Sequence, residues 1–465
     1  MNTEIVTKEK TDVKLGFFYS LGEVGSQLSW YMINSYLTLF YTDVVGLSAA
    51  AISLIMLIAR VWDAVNDPMM GLIADRTNTR WGKFRPYLMF APPFLAIFNI
   101  LTFTVFPVQG ALKVALCLIC YIGAGMMYTV LGVSYAGLVN RIARDSRVRT
   151  NYAVARSIGS SVISMFLSAA AMPMILHFSN SETANAKGYF ITTIILSVLM
   201  LPSFWLCAWK CKETVVIHTA ESTTAGAEKK SILKSMKTVV QNKMLVIIIF
   251  NTFMGAMANI ARMSMLSYYV IYVVGSYTMI APIYTTITLF QLIGSAAVPY
   301  LTKVLSKKNI CLMLGFTSTI SIVLIFLFGA QNTILIFVCS AVIGLGNSVG
   351  GVGTGMICDC IEYGDWKYGV RDEALPFAIV SFSVKLATAV TGSVGVLLLA
   401  ATGYVAGAEQ SASTLTGINV VVNLIPAVCM LFATLPLLLY KIDDKMMEKI
   451  VADLDKRNAN KTEEK

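Results

Sequence analysis

Apolar runs of roughly 20 residues recur along the whole chain, and this feature leaves few folds open. As a helix, a run of that length crosses a hydrocarbon core of about 30 Å. Lipid offers the backbone no water to bond, so each run must satisfy its own amides and carbonyls, as a helix does. Twelve spans can be read, at about 14–42, 48–75, 86–107, 112–138, 150–177, 187–209, 243–273, 279–303, 309–328, 333–358, 374–403 and 415–440. Composition agrees. Hydrophobic residues make up 56% of the chain and charged residues 13%, where a soluble protein carries about 25% charged. The expected fold is an all-α membrane protein with twelve transmembrane helices.

The longest polar interval, Lys210 to Asn242, divides the spans six and six. The expected organisation is an N-terminal segment 1–13, a first bundle 14–209, a linker 210–242, a second bundle 243–440 and a tail 441–465. The opening MNTEIVTKEKTDVK is polar and lacks the apolar core and cleavage site of a signal peptide. Basic residues fall in alternate loops: Arg76, Arg80, Lys83 and Arg85; Arg141, Arg144, Arg147 and Arg149; the linker lysines; Lys303, Lys307 and Lys308; Lys367 and Arg371. The opposite loops hold only Lys113 and Lys187. The positive-inside rule then predicts a multi-pass protein of the plasma (inner) membrane with both termini cytoplasmic. Topology accounts for the net charge of +10, so no nucleic-acid partner is expected.

Within the spans lie Glu23, Arg60, Asp63, Asp67, Arg156, Arg262 and Lys385. Charges at membrane depth are costly, and seven over five helices imply a shared polar cavity rather than scattered ion pairs. On the second helix, Arg60, Asp63 and Asp67 project within about 60° of one another, with Asn66 on the flank. Two carboxylates one turn apart repel. A proton or a Na+ ion, which takes oxygen ligands as other hard cations do, would relieve that. Asp63 and Asp67 are therefore the expected coupling-cation site, and the metal ligands if the ion is Na+. The alternative is permanent neutralisation by Arg60 and Lys385.

Other helices carry polar and aromatic stripes: Glu23, Gln27, Trp30 and Asn34; Tyr128, Thr129, Gly132 and Tyr135; Arg156, Ser160 and Ser164; Asn259, Arg262, Tyr268 and Tyr269; Ser381, Lys385, Thr388 and Gly392. Aromatic faces beside hydrogen-bonding groups suit a sugar. The expected substrate-binding residues are Glu23, Gln27, Trp30, Gly132, Tyr135, Arg156, Arg262 and Lys385.

Enzymatic readings fail. His177 and His218 sit near expected loops with no triad about them, and no acid pair has a defensible glycosidase spacing. Cys117 with Cys120, and Cys358 with Cys360, lack the further ligands of a metal site. The run GLGNSVGGVGTG, Gly344 to Gly355, lacks the GK[ST] ending of a phosphate loop and reads as close helix packing. No cofactor is expected beyond a coupling ion.

FYTDVVGL at Phe40 to Leu47, RVWDAVNDPMMG at Arg60 to Gly71, TRWGKFRP at Thr79 to Pro86, IEYGDWKYGVR at Ile361 to Arg371 and the following Lys385 resemble the glycoside–pentoside–hexuronide:cation symporters of the major facilitator superfamily. The resemblance covers essentially the whole chain. It implies two six-helix bundles around a cavity opened alternately to each side. It implies that Asn66 and Thr129 help Asp63 and Asp67 hold the cation, and that Arg156 and Lys385 lie near the sugar. Two acids that grip galactoside hydroxyls in the family's melibiose carrier are matched here by Gln27 and Gly132, and sugar-lining tryptophans by Ala136 and Gly350. Tyr19 to Gln27, YSLGEVGSQ, is closer to the glucuronide and pentoside branches.

The expected function is secondary active import of a sugar or glycoside, coupled to Na+ or H+, by a protein acting as a monomer. Arg141 and Arg149 of one half, with Asp359, Glu362 and Asp365 of the other, are expected to form a cytoplasmic gate. Loss of the two acids leaves Arg156, Arg262 and Lys385 under-compensated, which favours a hexuronide whose carboxylate meets an arginine. The alternatives are a neutral pentoside or glucoside symporter, a carrier of lysophospholipids, and a membrane sensor. The sensor is disfavoured because the longest cytoplasmic segment is only the central linker.

Overall fold

The computed structural model describes residues 12–77, 79–143, 146–213, 239–369, 374–406 and 408–463. Residues 1–11 of the N-terminal segment and 214–238 of the linker lie outside them. Among the described residues every regular element is helical, apart from an isolated bridge between Thr79 and Gly82. The helices are α1 (Val13–Leu39), α2 (Ala49–Arg76), α3 (Arg85–Thr102), α4 (Gly110–Ile142), α5 (Ser146–Ser179), α6 (Ala186–Lys210), α7 (Lys243–Tyr268), α8 (Ile280–Leu301), α9 (Lys307–Phe328), α10 (Thr333–Gly346), α11 (Gly350–Tyr368), α12 (Ala374–Ala401), α13 (Ala412–Asn419), α14 (Ile425–Thr434) and α15 (Asp444–Glu463).

Ten spans among the described residues are long and apolar enough to cross a membrane, with α10–α11 and α13–α14 each counting as one. The two remaining expected spans are the helices α1 and α3. The first carries the polar stripe from Glu23 to Asn34. The second is only 18 residues long, or about 27 Å. Both are packed into a bundle: α1 lies along α5 and α6, and α3 along α4 and α6. Asp12, Ser48, Asn185, Asn242, Ser306 and Ser411 cap helix N-termini, each accepting a bond from a backbone N–H.

Two compact units gather these helices. One lies within Met1–Glu221, Ser276–Thr285 and Val405–Glu409; the other lies within Ser222–Gly275, Thr286–Tyr404 and Gln410–Lys465. In the first, α2 also packs on α4, and α5 on α6. In the second, α7 packs on α12 and α14, and α9 on α10 and α14. The same ending closes the first helix of each unit. A π-helical turn, Phe40–Val44 or Tyr269–Val273, passes through Val-Val into a left-handed glycine, Gly46 at φ 72° or Gly275 at φ 80°. Only glycine adopts that conformation without strain.

The span expected at 333–358 is instead two helices joined by a 3₁₀ turn, Asn347–Val349, and its helix continues to Tyr368. Hydropathy registers the lipid boundary rather than the helix end. Beyond that boundary α11 packs on α15, where Ile361, Ile450 and Leu454 share a buried cluster.

Candidate functional site

In the first unit, α2 and α4 run in the same direction and their facing residues climb in step. Arg60 donates Nη2 to the Tyr121 hydroxyl at 3.0 Å and Nη1 to Asp63 Oδ2 at 3.0 Å. Asp63 lies against Gly125, where a Cβ would come within 3.3 Å of Oδ1. The Thr129 hydroxyl donates to Asp67 Oδ1 at 3.0 Å. Positions 60, 63 and 67 thus face 121, 125 and 129, because steps of three or four residues keep one face on each helix. Asn66 is buried, and its Nδ2 makes no hydrogen bond.

A second ladder joins α1 to α5. Arg156 Nε donates to Glu23 Oε2 at 2.6 Å. One turn further, Gln27 Nε2 donates to the Ser160 hydroxyl at 3.0 Å and to Glu23 Oε1 at 3.5 Å. Trp30, the next stripe residue, stacks on Tyr128 of α4 with centroids 4.3 Å apart. Gly132 borders open space: a Cβ there would meet nothing within 4 Å.

Tyr135 departs from its expected place on the substrate surface. It is 1% exposed, stacks on Tyr19 at 4.7 Å and donates its hydroxyl to the Tyr19 carbonyl at 2.8 Å. Its ring lies 5.1 Å from the Arg156 guanidinium, a cation–π contact that positions the arginine.

In the second unit, Arg262 is buried on α7 and Lys385 is exposed on α12. Tyr268 and Tyr269 are fully buried packing residues. Of the expected gate acids, Asp359 takes Lys307 Nζ on both oxygens at 2.8 Å, and Asp365 takes Arg457 of α15. Glu362 lies between them on α11. Arg141 lies in the last turn of α4, and Arg149 on α5 donates to Asn140 Oδ1 at 3.2 Å.

Two groups escaped the sequence reading. Tyr121 and Gly125 were legible in principle, since they continue the Thr129 stripe back at four-residue steps. Glu213 was not. At the start of the expected linker, its carboxylate accepts the backbone N–H groups of Lys83, Phe84 and Arg85 at 2.9, 2.7 and 3.1 Å, capping α3 across a long sequence gap. Among the described residues, no three His, Cys, Asp or Glu side chains gather as a metal cluster. Any cation would rest on the two carboxylates with neutral oxygens.

The five charged groups of the ladders comprise three carboxylates, Glu23, Asp63 and Asp67, and two guanidinium groups, Arg60 and Arg156, a formal sum of −1. Residues 18–444 match the family described as MFS/sugar transport protein. The chain belongs to that family. This transporter is 32% identical over 454 residues to the isoprimeverose transporter of Lactiplantibacillus pentosus, an alignment covering 95% of this chain and 91% of the relative. It is 30% identical over 447 residues to the glucuronide carrier protein homolog of Escherichia coli (strain K12), covering 94% of each. The fold also matches the crystal structure of a D-xylose-proton symporter, with TM-score 0.62, 11% identity and 91% and 97% of the two chains covered. These findings make the chain a multi-pass membrane protein of a sugar-transporting family.

Proposed function

We propose that this transporter imports a sugar or glycoside with one monovalent cation, Na+ or H+, bound at Asp63 and Asp67. The observation that carries the proposal is the face of α2 on which Asp63 and Asp67 stand one turn apart, opposite Gly125 and the Thr129 hydroxyl of α4. Arg60 and Arg156 of the ladders hold carboxylates, Asp63 at 3.0 Å and Glu23 at 2.6 Å. A cation between Asp63 and Asp67 would offset their mutual repulsion, with Thr129 fixing the orientation of Asp67. A ligand drives a conformational change only by its differential affinity for the two states. A cation that relieves the repulsion of two carboxylates gives such a difference where the two states hold them in different surroundings. Alternating exposure of the site to the two faces of the membrane then links the cation gradient to the sugar. Both termini and the linker face the cytoplasm in this reading.

The Glu23–Arg156 pair bears on substrate charge. The hexuronide expectation counted Arg156 as under-compensated, whereas Glu23 compensates it within the protein. This supports a neutral glycoside as the substrate. A hexuronide fits only by replacing Glu23 on the guanidinium. Relatives named for isoprimeverose and for a glucuronide stand at nearly equal identity and do not choose between them.

Competition in proteoliposomes, under imposed Na+ or H+ gradients, tests both points. A glucoside and the matching glucuronide should inhibit uptake within about threefold of each other. Glu23→Gln, which releases Arg156, should favour the glucuronide by about tenfold. A wild-type preference for the glucuronide above tenfold would restore the hexuronide reading. Absence of sugar uptake on either gradient would remove the symport reading.

A further inference from the structure

Between α3 and α6 of the first unit runs an open groove of about 730 Å³, walled by apolar and aromatic residues alone. Met89, Phe90 and Pro93 of α3 line it with Trp205, Leu206 and Trp209 of α6. One hydrogen bond holds its shape. Pro93 has no N–H, so the Met89 carbonyl four residues earlier lacks its helical donor. The Trp205 indole supplies one, donating Nε1 to that oxygen at 2.9 Å. The indole is thereby pinned across the seam of the two helices and cannot rotate into the groove without losing the bond.

The groove adjoins the charged end of both helices. Arg85, at the start of α3, donates Nε to the Ala208 carbonyl near the end of α6 at 2.7 Å and Nη1 to the Trp81 carbonyl at 3.2 Å. Lys210 Nζ lies 4.4 Å from the centroid of the Trp209 ring. The Arg80 guanidinium lies 4.2 Å over Trp81, whose ring meets Phe90 edge-on at 5.8 Å. Both cations are exposed. Residues 79–85 and 208–213 together carry five basic side chains and one acidic. That acid, Glu213, is turned onto the backbone N–H groups of Lys83, Phe84 and Arg85.

An apolar slot, tryptophans at its rim and cations beyond them repeat the layering of a phospholipid, from acyl chain through interface to phosphate. The α6 wall, residues 202–209, is about 10 Å long, a third of a hydrocarbon core of about 30 Å, and so takes the upper part of one chain. We propose that this groove binds an acidic phospholipid of the surrounding bilayer, with an acyl chain in the slot and the phosphate at Arg80 and Lys210. A zwitterionic lipid brings its own cation to its phosphate and gains little from these two. A second copy of the chain fits poorly. Two copies inserted in the same orientation, related by a two-fold axis along the membrane normal, would set the same basic rim against itself.

The test is native mass spectrometry of the delipidated full chain in detergent, titrated with dioleoylphosphatidylglycerol or dioleoylphosphatidylcholine. The first phosphatidylglycerol should bind more tightly than the first phosphatidylcholine by about fivefold for each rim cation. Arg80→Gln combined with Lys210→Gln should abolish that preference, while Lys303→Gln, which removes an exposed cation of the second unit, should leave it intact. Leu206→Trp, at an exposed position, should fill the groove and weaken phosphatidylglycerol binding at least tenfold with the rim unchanged. Equal affinity of the wild type for the two lipids overturns the proposal, as does a preference that survives the double rim variant or Leu206→Trp. It is equally overturned if the delipidated chain takes up neither lipid and forms a dimer that Leu206→Trp dissociates, the groove then being an interface between copies.

Discussion

Asp67→Asn removes one of the two carboxylates proposed to hold the cation and leaves four charged groups in the ladders, Glu23, Arg60, Asp63 and Arg156. The fold should tolerate the change, because an asparagine oxygen still accepts the Thr129 hydroxyl that Asp67 takes at 3.0 Å. The cation, however, loses one full negative charge. At a separation near 4 Å and an effective dielectric near 20, that charge contributes on the order of 4 kcal/mol. This is about a thousandfold in cation affinity. The assay is sugar uptake by proteoliposomes across a series of Na+ concentrations and pH values, with sugar counterflow measured beside it. Concentrative uptake should vanish, and the half-saturating cation concentration should rise out of the accessible range. Counterflow, which needs no net cation movement, should persist. Asp63→Asn makes the contrast: it also removes the negative charge that pairs with Arg60, so it should lower folded yield as well as coupling. An Asp67→Asn protein that still concentrates sugar, half-saturated within threefold of the wild-type cation level, would refute the charge argument.

Tags at the N-terminus, between Thr219 and Lys230 and at the C-terminus should resist membrane-impermeant labelling of intact cells, while one between Ser179 and Thr183 should react; outside labelling of the central tag would overturn the assigned topology. Glu213→Ala should destabilise the protein by on the order of 2 kcal/mol, because three backbone N–H groups at the start of α3 lose a charged acceptor. Gly82→Ala should be at least as harmful, since Gly82 lies at φ 111° and a Cβ would meet the Glu213 carboxylate at 2.6 Å. Melting curves in detergent check both, and an unchanged midpoint for Glu213→Ala would show that water caps α3 equally well.

The spans were legible because lipid imposes one rule on every segment: long, apolar and self-bonded. The Arg60, Asp63 and Asp67 stripe was legible for a related reason, since helical period alone brings the three to one face. Partners on other helices were not. Arg156 was assigned to the substrate from its polar stripe and the family resemblance, and the helix that supplies Glu23 is named only by packing. Tyr135 and Tyr128 sit on one helix and look equivalent in sequence. The first is sealed under Arg156 against Tyr19, and the second stacks on Trp30, a difference set by which helix each meets. The helix α15 was read only as a tail because its charged sequence carries no span signal. Its order comes from Trp366 donating to Asp453 at 3.1 Å, the Arg457–Asp365 pair and the buried Ile450 and Leu454.

The residues proposed to hold the cation and to face the sugar in the first unit are joined through one helix, α4. Thr129 bonds Asp67, and its neighbour Tyr128 stacks on Trp30 of α1, so consecutive residues of α4 touch both groups. The same α1 carries Glu23 and Gln27, which hold Arg156 and Ser160 of α5. A cation pulling on Asp67 therefore acts on a helix whose next residue forms the aromatic face proposed for sugar. Neither ladder can shift by one residue without losing its polar contacts, because a single step turns a helical side chain by about 100°. Small displacements are then resolved as a choice between packed arrangements rather than as a gradual drift. That discreteness is what a symporter requires of its site, since a cation that adjusted the site continuously would bind every intermediate and transmit none of its gradient to the sugar.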